Sequence, residues 1–202
     1  MKIVLPENIA DITLSQLIRD EELKTKLAND EIDAKTYNKH KINLYSGIPF
    51  RKVEDVAHKD LQVVMLQIDK ALNEDAPFVD RFTLNGVEYG FIPNFDNISE
   101  AEYIDATDYS GETEDLHKLM AVLFRPITKK SGKTYDIQKY KGTDKHAETM
   151  KQMPLNIVNG AISFFFLLSS ELENYIQKST REELRKEYKR QTILRSGVGM
   201  QL

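Results

Sequence analysis

Four places in this sequence carry residue types that could do chemistry. Gly132-Lys133-Thr134 matches the end of a phosphate-binding loop, where backbone amides cradle phosphates and a lysine reaches them. That loop needs a glycine five residues before its second one, and Ile127 stands there, so a lysine-rich turn is the plainer reading. Glu112, Glu114, Asp115 and His117 offer carboxylates and an imidazole for metal ligation or general acid–base work. Acids in the first turn of a helix are equally expected from the dipole, and His117 has no second histidine at ligand spacing. Ser169-Ser170-Glu171 lacks the Gly-x-Ser-x-Gly turn that exposes a nucleophile. Glu100 and Glu102 suit a capped surface helix better than a glycosidase pair. No catalytic, cofactor-binding or metal-ligating residue is therefore assigned. The chain is read as non-enzymatic, with a small hydrolase or nuclease built on acids and His117 as the enzymatic alternative.

Composition narrows the classes further. With 202 residues the chain is long enough for one real core. Its 28 basic and 32 acidic residues leave a net charge of −4, which argues against nucleic-acid binding led by bulk charge but not against a local basic patch. Cysteine is absent, which excludes disulfides, thiolate metal sites and cysteine nucleophiles. The longest apolar stretch, 157–168, is interrupted by Asn159, Gly160 and Ser163 and falls short of the roughly 20 residues a membrane span needs. The first residues lack the apolar run of a signal peptide.

Periodicity supplies the elements. Residues 3–5 read as a short strand or arm stopped by Pro6. Thr13 caps a helix with Leu14, Leu17, Ile18 and Leu27 at helical spacing, and Asp33 opens a second that Gly47 ends. Residues 50–56 read as a helical turn. In 58–73 the stripe Leu61, Val64, Met65, Ile68 and Leu72 marks an amphipathic helix. Asn85-Gly86 between alternating apolar residues predicts a hairpin over 82–91, because both turn positions need positive φ. Ser99 caps a short helix with Glu102 at the capping-box position. Residues 113–124 read as a helix ended by Pro126, and 129–143 as a polar, exposed excursion with a weak strand at 134–137. Pro154 suits the first turn of a long helix, 155–178, which is apolar on nearly every side between Ala161 and Leu168 and so belongs at a core centre or is shared with a neighbour. Thr180 caps a charged helix, 181–194, followed by a glycine-spaced tail. The expected fold is mainly α: a helical core domain over 1–178 with one hairpin, then a charged C-terminal helix or arm over 179–202.

Three groups of residues are candidates for contacts with other molecules. In the hairpin these are Phe82, Asn85, Gly86 and Tyr89, which either serve the fold alone or add a strand to a neighbouring subunit. Phe164, Phe165 and Phe166 cannot all point inward on one helix, so they read as core with a subunit interface as the alternative. Arg185, Lys186, Lys189 and Arg190 form a solvated face or dock on an acidic protein surface or DNA backbone.

Several segments taken in order carry a family resemblance. They are Leu5-Pro6-Glu7-Asn8 before Ile12-Thr13-Leu14; Arg81-Phe82-Thr83-Leu84-Asn85-Gly86-Val87-Glu88-Tyr89-Gly90-Phe91-Ile92-Pro93-Asn94-Phe95; Ala101-Glu102-Tyr103-Ile104-Asp105; His117-Lys118-Leu119-Met120-Ala121-Val122-Leu123-Phe124-Arg125-Pro126; and Met153-Pro154-Leu155 before Val158-Asn159-Gly160-Ala161. This order resembles tailed-bacteriophage virion and morphogenesis proteins, of the kind found in crAss-like, marine and Bacteroidota phages. The resemblance implies a structural protein of the virion neck or tail, such as a head–tail connector ring or tail-completion component, made in the host cytoplasm. It brings no catalytic residues and no cofactor. The partners it implies are other phage structural proteins and further copies of the chain in a ring, with no membrane and no direct nucleic-acid partner. The alternative role is a tail assembly chaperone that holds a tape-measure client and is absent from the mature virion.

Overall fold

Thr13 starts the first helix by a reciprocal cap: its hydroxyl accepts from the Gln16 amide, and the Gln16 side chain accepts from the Thr13 amide at 2.9 Å. The computed structural model describes residues 4–171 together with positions 181 and 183. Helix α1 (Leu14–Ala28) is followed by α2 (Ala34–Ser46), which Asp33 caps and Gly47 ends at φ 68°. A 3-10 turn, Phe50–Asp55, leads to α3 (His58–Leu72), which turns Val64, Ile68 and Ala71 inward. The entry of α1 is stitched to a distant segment by Leu14 N–H to Met153 O at 2.9 Å and Leu155 N–H to Ile12 O at 2.7 Å.

Strands β1 (Arg81–Leu84) and β2 (Val87–Phe91) form the expected hairpin, with Asn85 at φ 51° and Gly86 at φ 77°. Both positive values match a I′ turn, which only these small or locally bonding residues enter cheaply. Helix α4 (Glu100–Asp108) carries the Ser99–Glu102 capping box, and α5 (Leu116–Leu123) follows. Then comes β3 (Phe124–Ser131), a two-residue turn with Gly132 at φ 61°, and β4 (Thr134–Ile137). A four-residue helix, α6 (Ala147–Met150), precedes the helical residues 155–171, here α7.

The strands form one antiparallel sheet in the order β1-β2-β3-β4. This corrects the mainly α expectation: the fold is mixed α/β, with a four-stranded sheet in place of a single hairpin. The error lies at Phe124. The helix expected to run through it ends at Leu123, and Phe124 already has strand geometry at φ −118°, ψ 128°. Pairing of Phe91 with Phe124 and of Tyr89 with Pro126 holds β3 against the first hairpin. Pro126 has no amide to offer, and its carbonyl accepts from Gln138 N–H at 3.0 Å. The lysine-rich stretch expected as an excursion thus supplies the end of β3. Tertiary pairing outranks the weak strand propensity of Lys, Pro and Ser.

Rings from three strands, β1, β2 and β3, build the core. Phe124 is fully buried and meets Phe82 and Phe91 edge-on at centroid distances of 5.1 and 5.4 Å. Helix α5 is the most enclosed, with Leu119, Met120, Val122 and Leu123 at zero exposure. The second hairpin grips the first through Tyr135, which crosses over Gly90. A Cβ at Gly90 would lie 2.4 Å from the ring, so only glycine allows the crossing. The Tyr135 hydroxyl then reaches the carbonyls of Phe91 at 2.9 Å and Asp80 at 3.2 Å.

Backbone contacts divide the chain into Met1–Ala161 and Ile162–Leu202. The expected boundary after residue 178 lies outside the described residues, as do Arg185, Lys186, Lys189 and Arg190. No helix among the described residues is long and apolar enough to cross a membrane.

Candidate functional site

The residues that could do chemistry are dispersed into structural roles. Gly132-Lys133-Thr134 forms the tip of the second hairpin, with the Thr134 hydroxyl donating to Ser131 O at 2.8 Å. A strand follows it, so there is no helix N-terminus for a phosphate. His117 is buried, and its Nδ1 donates to the Glu114 carbonyl at 2.7 Å. Burial holds this imidazole below the ordinary histidine range. Asp115 is engaged by Lys118 at 2.6 Å. Among the described residues no three His, Asp or Glu side chains converge as metal ligands. The Ser169 hydroxyl is buried without a hydrogen-bond partner, and Glu171 is exposed.

Glu102 has two structural tasks. It closes the α4 capping box and pairs with Arg125 of β3, and both side chains are almost entirely buried. Burial alone would raise its carboxyl, but hydrogen bonds from Ser99 and the Arg125 charge outweigh that and hold it below the usual carboxylate value.

The hairpin residues named from sequence fall into two sets. Phe82 and Tyr89 stack on each other at 5.5 Å and are buried in the chain's own fold, while β3 occupies the outer side of β2. Asn85 and Gly86 are exposed at the tip, where the Asn85 amide donates to Gln152 Oε1 at 2.9 Å. The strand edge left open within this sheet on the first hairpin is that of β1. On α7 the three phenylalanines separate: Phe165 is buried, Phe164 half-buried, and Phe166 is 51% exposed beside Leu167 at 56%.

The chain matches no protein-family model, no curated protein and no solved structure with which it was compared. Its surface must therefore speak for itself.

Two surface features escaped the sequence reading. The first is a groove of about 1180 Å³ between α2, the 3-10 turn and α3. Ile42 and Val53 form its buried floor, Leu61 and Met65 its wall, and Leu66, 70% exposed, its lip. Lys35 and Lys39 stand at the rim, both paired with Glu54 at 3.0 and 3.3 Å. The signal was in the sequence: Leu66 lies off the inward stripe of α3, and an apolar residue there has no duty to its own core. The second feature is a basic cavity beside β3 and β4, lined by Arg125, Lys139, Lys141 and Lys145. Its signal was Arg125 set between Phe124 and Pro126-Ile127, a charge in an apolar run.

Proposed function

We propose that this protein is a non-enzymatic assembly component of a tailed-phage virion, in the neck or tail, that works by binding further copies of itself and neighbouring structural proteins. The ordered segments that resemble phage morphogenesis proteins support the setting. The observation that carries the contact-making role is the pairing of an apolar groove on α2–α3 with an exposed apolar pair, Phe166 and Leu167, on α7. One is concave and the other projects, and they are different patches of one chain. When different patches of identical chains meet, the contact runs head to tail, and it closes into a ring where the rotation permits. The occupant of the groove is thus Phe166–Leu167 of a second copy.

Two measurements test the reading. Sedimentation of the full chain should show an oligomer that Leu66→Asp and Phe166→Asp each dissociate by about tenfold or more, with unchanged thermal unfolding of the monomer. A chain that is monomeric at all accessible concentrations would refute the self-contact. Quantitative mass spectrometry of purified particles should find it in fixed ratio to the other virion proteins. Abundance in infected cells with absence from particles would instead favour a chaperone that leaves before maturation.

A further inference from the structure

Beside β3 and β4 opens a cavity of about 740 Å³ whose wall carries Arg125, Lys139, Lys141, Lys145 and His146 against one acid, Asp136. The three lysines are exposed and, among the described residues, have no ion-pair partner; what separates them from the equally unpaired Lys52, Lys59 and Lys70 is that they line one cavity that holds a single acid. Arg125 is 6% exposed; one terminal nitrogen is held by Glu102, its guanidinium lies 5.5 Å from the Tyr140 ring, and its Nε has no hydrogen-bond partner. A buried donor left unpaired opposes folding unless something accepts from it. After Glu102 and Asp136 are set against the cations, the cavity keeps an excess of two positive charges in a chain whose net charge is −4. The field at this spot therefore runs against the rest of the molecule.

We infer that the cavity is a site for a phosphate group. A phosphate monoester carries close to two negative charges and several strong acceptor oxygens, matching the excess charge and the donors around the wall. A single carboxylate would leave one positive charge uncompensated. The cavity falls within the size range of small-ligand pockets, so the charge is supplied either by one free phosphate monoester or by two neighbouring diesters of a nucleic-acid backbone, each of which carries a single charge. Lys129 and Lys133 on the same β3–β4 hairpin extend the basic surface beyond the cavity and would serve the second source, while Lys130 is held by Glu88. This site is separate from the groove on α2–α3, so it stands or falls without the assembly reading.

The test uses the full chain with two probes, inorganic phosphate and a single-stranded 20-nucleotide DNA. Lys139→Ala/Lys141→Ala/Lys145→Ala is compared with a charge-matched control on exposed lysines elsewhere, Lys52→Ala/Lys59→Ala/Lys70→Ala. Equal thermal unfolding shows that both variants fold, and the single Lys141→Ala replaces the triple if it does not. Saturable phosphate binding that shifts the His146 ring resonances, and weakens about tenfold or more in the cavity triple alone, supports a free phosphate ester. DNA binding whose log–log salt slope is shallower by about 2 in the cavity triple, at about 0.7 per lysine, supports the backbone source. No binding of either probe overturns the site. So does equal weakening by the control triple, which would show only nonspecific attraction.

Discussion

In β1–β2 the turn is Asn85-Gly86, both at positive φ, and Phe82 and Tyr89 stack inward over buried Phe124 and against His146. In β3–β4 the turn is Gly132-Lys133, only the glycine is at positive φ, and the strand ends carry Lys129, Lys130, Thr134 and Asp136. The first hairpin is held by what it buries. The second is anchored only at the start of β3, by buried Phe124 and Arg125; beyond them it is held by ladder bonds and by one ring, Tyr135, laid across Gly90. One sheet thus joins a part that pays for the fold to a part whose residues are free for charge. The difference teaches that adjacent strands need not share a duty, and that the hairpin poorest in apolar residues is the one beside the candidate ligand cavity.

That contrast can be broken by substitution. Phe82→Ala should cost about 3–5 kcal/mol in denaturant unfolding, the range for a large aromatic removed from a core. A loss below about 1 kcal/mol would show that the first hairpin is not the anchor. Gly90→Ala should cost about 1–3 kcal/mol, because its methyl group displaces Tyr135 and the two carbonyl contacts with it. Amide exchange should then rise in β4 before it rises in β1. Gly86→Ala should cost about 1–2 kcal/mol by forcing positive φ on a residue with a Cβ. Gly132→Ala imposes the same strain yet should cost less than about 0.5 kcal/mol globally, since the exposed strand ends beside it can fray locally, whereas the Asn85-Gly86 tip is tied to Gln152. Equal costs at the two turns would erase the distinction.

The smallest expected effect is on pH. Burial holds His117 and His146 below the ordinary histidine value of 6.5, and Lys145 adds to this at His146. The unfolded chain therefore takes up protons first as pH falls through about 6.5. Stability is full above that value and declines as pH drops toward the folded-state values. Glu148, Lys118 and Lys151 face His117, and neither their charges nor the hydrogen bond to the Glu114 carbonyl reverses the direction. His117→Asn keeps a donor for the Glu114 carbonyl and removes the proton. It should flatten the decline of unfolding midpoint between pH 6.5 and 5, and an unchanged slope would assign the effect elsewhere.

Much of the helical part was legible because it is governed by local chemistry. Thr13, Asp33 and Ser99 cap where their side chains can reach an amide, Gly47 ends α2 in the left-handed region, and Asn85-Gly86 turns a hairpin. None of these needs knowledge of distant residues. The sheet was half hidden because β3 is made by partners far away in sequence. Nothing in Phe124-Arg125-Pro126 announces a strand until Tyr89, Gly90 and Phe91 stand opposite. The candidate sites were hidden for a related reason. Leu66 and Lys139 are ordinary in type, and only the placement of α2, β3 and β4 turns them into a groove and a cavity.

The direct passage from α5 into β3 has a practical side. With Leu123 helical and Phe124 extended there is no linker between them, so a residue inserted at that junction would send every following side chain of β3 to the wrong face. Epitope tags, fluorophores and crosslinkers therefore do not belong there. The Gly132-Lys133 tip is exposed, small and polar, and it offers a place to attach a reporter while leaving the α2–α3 groove untouched.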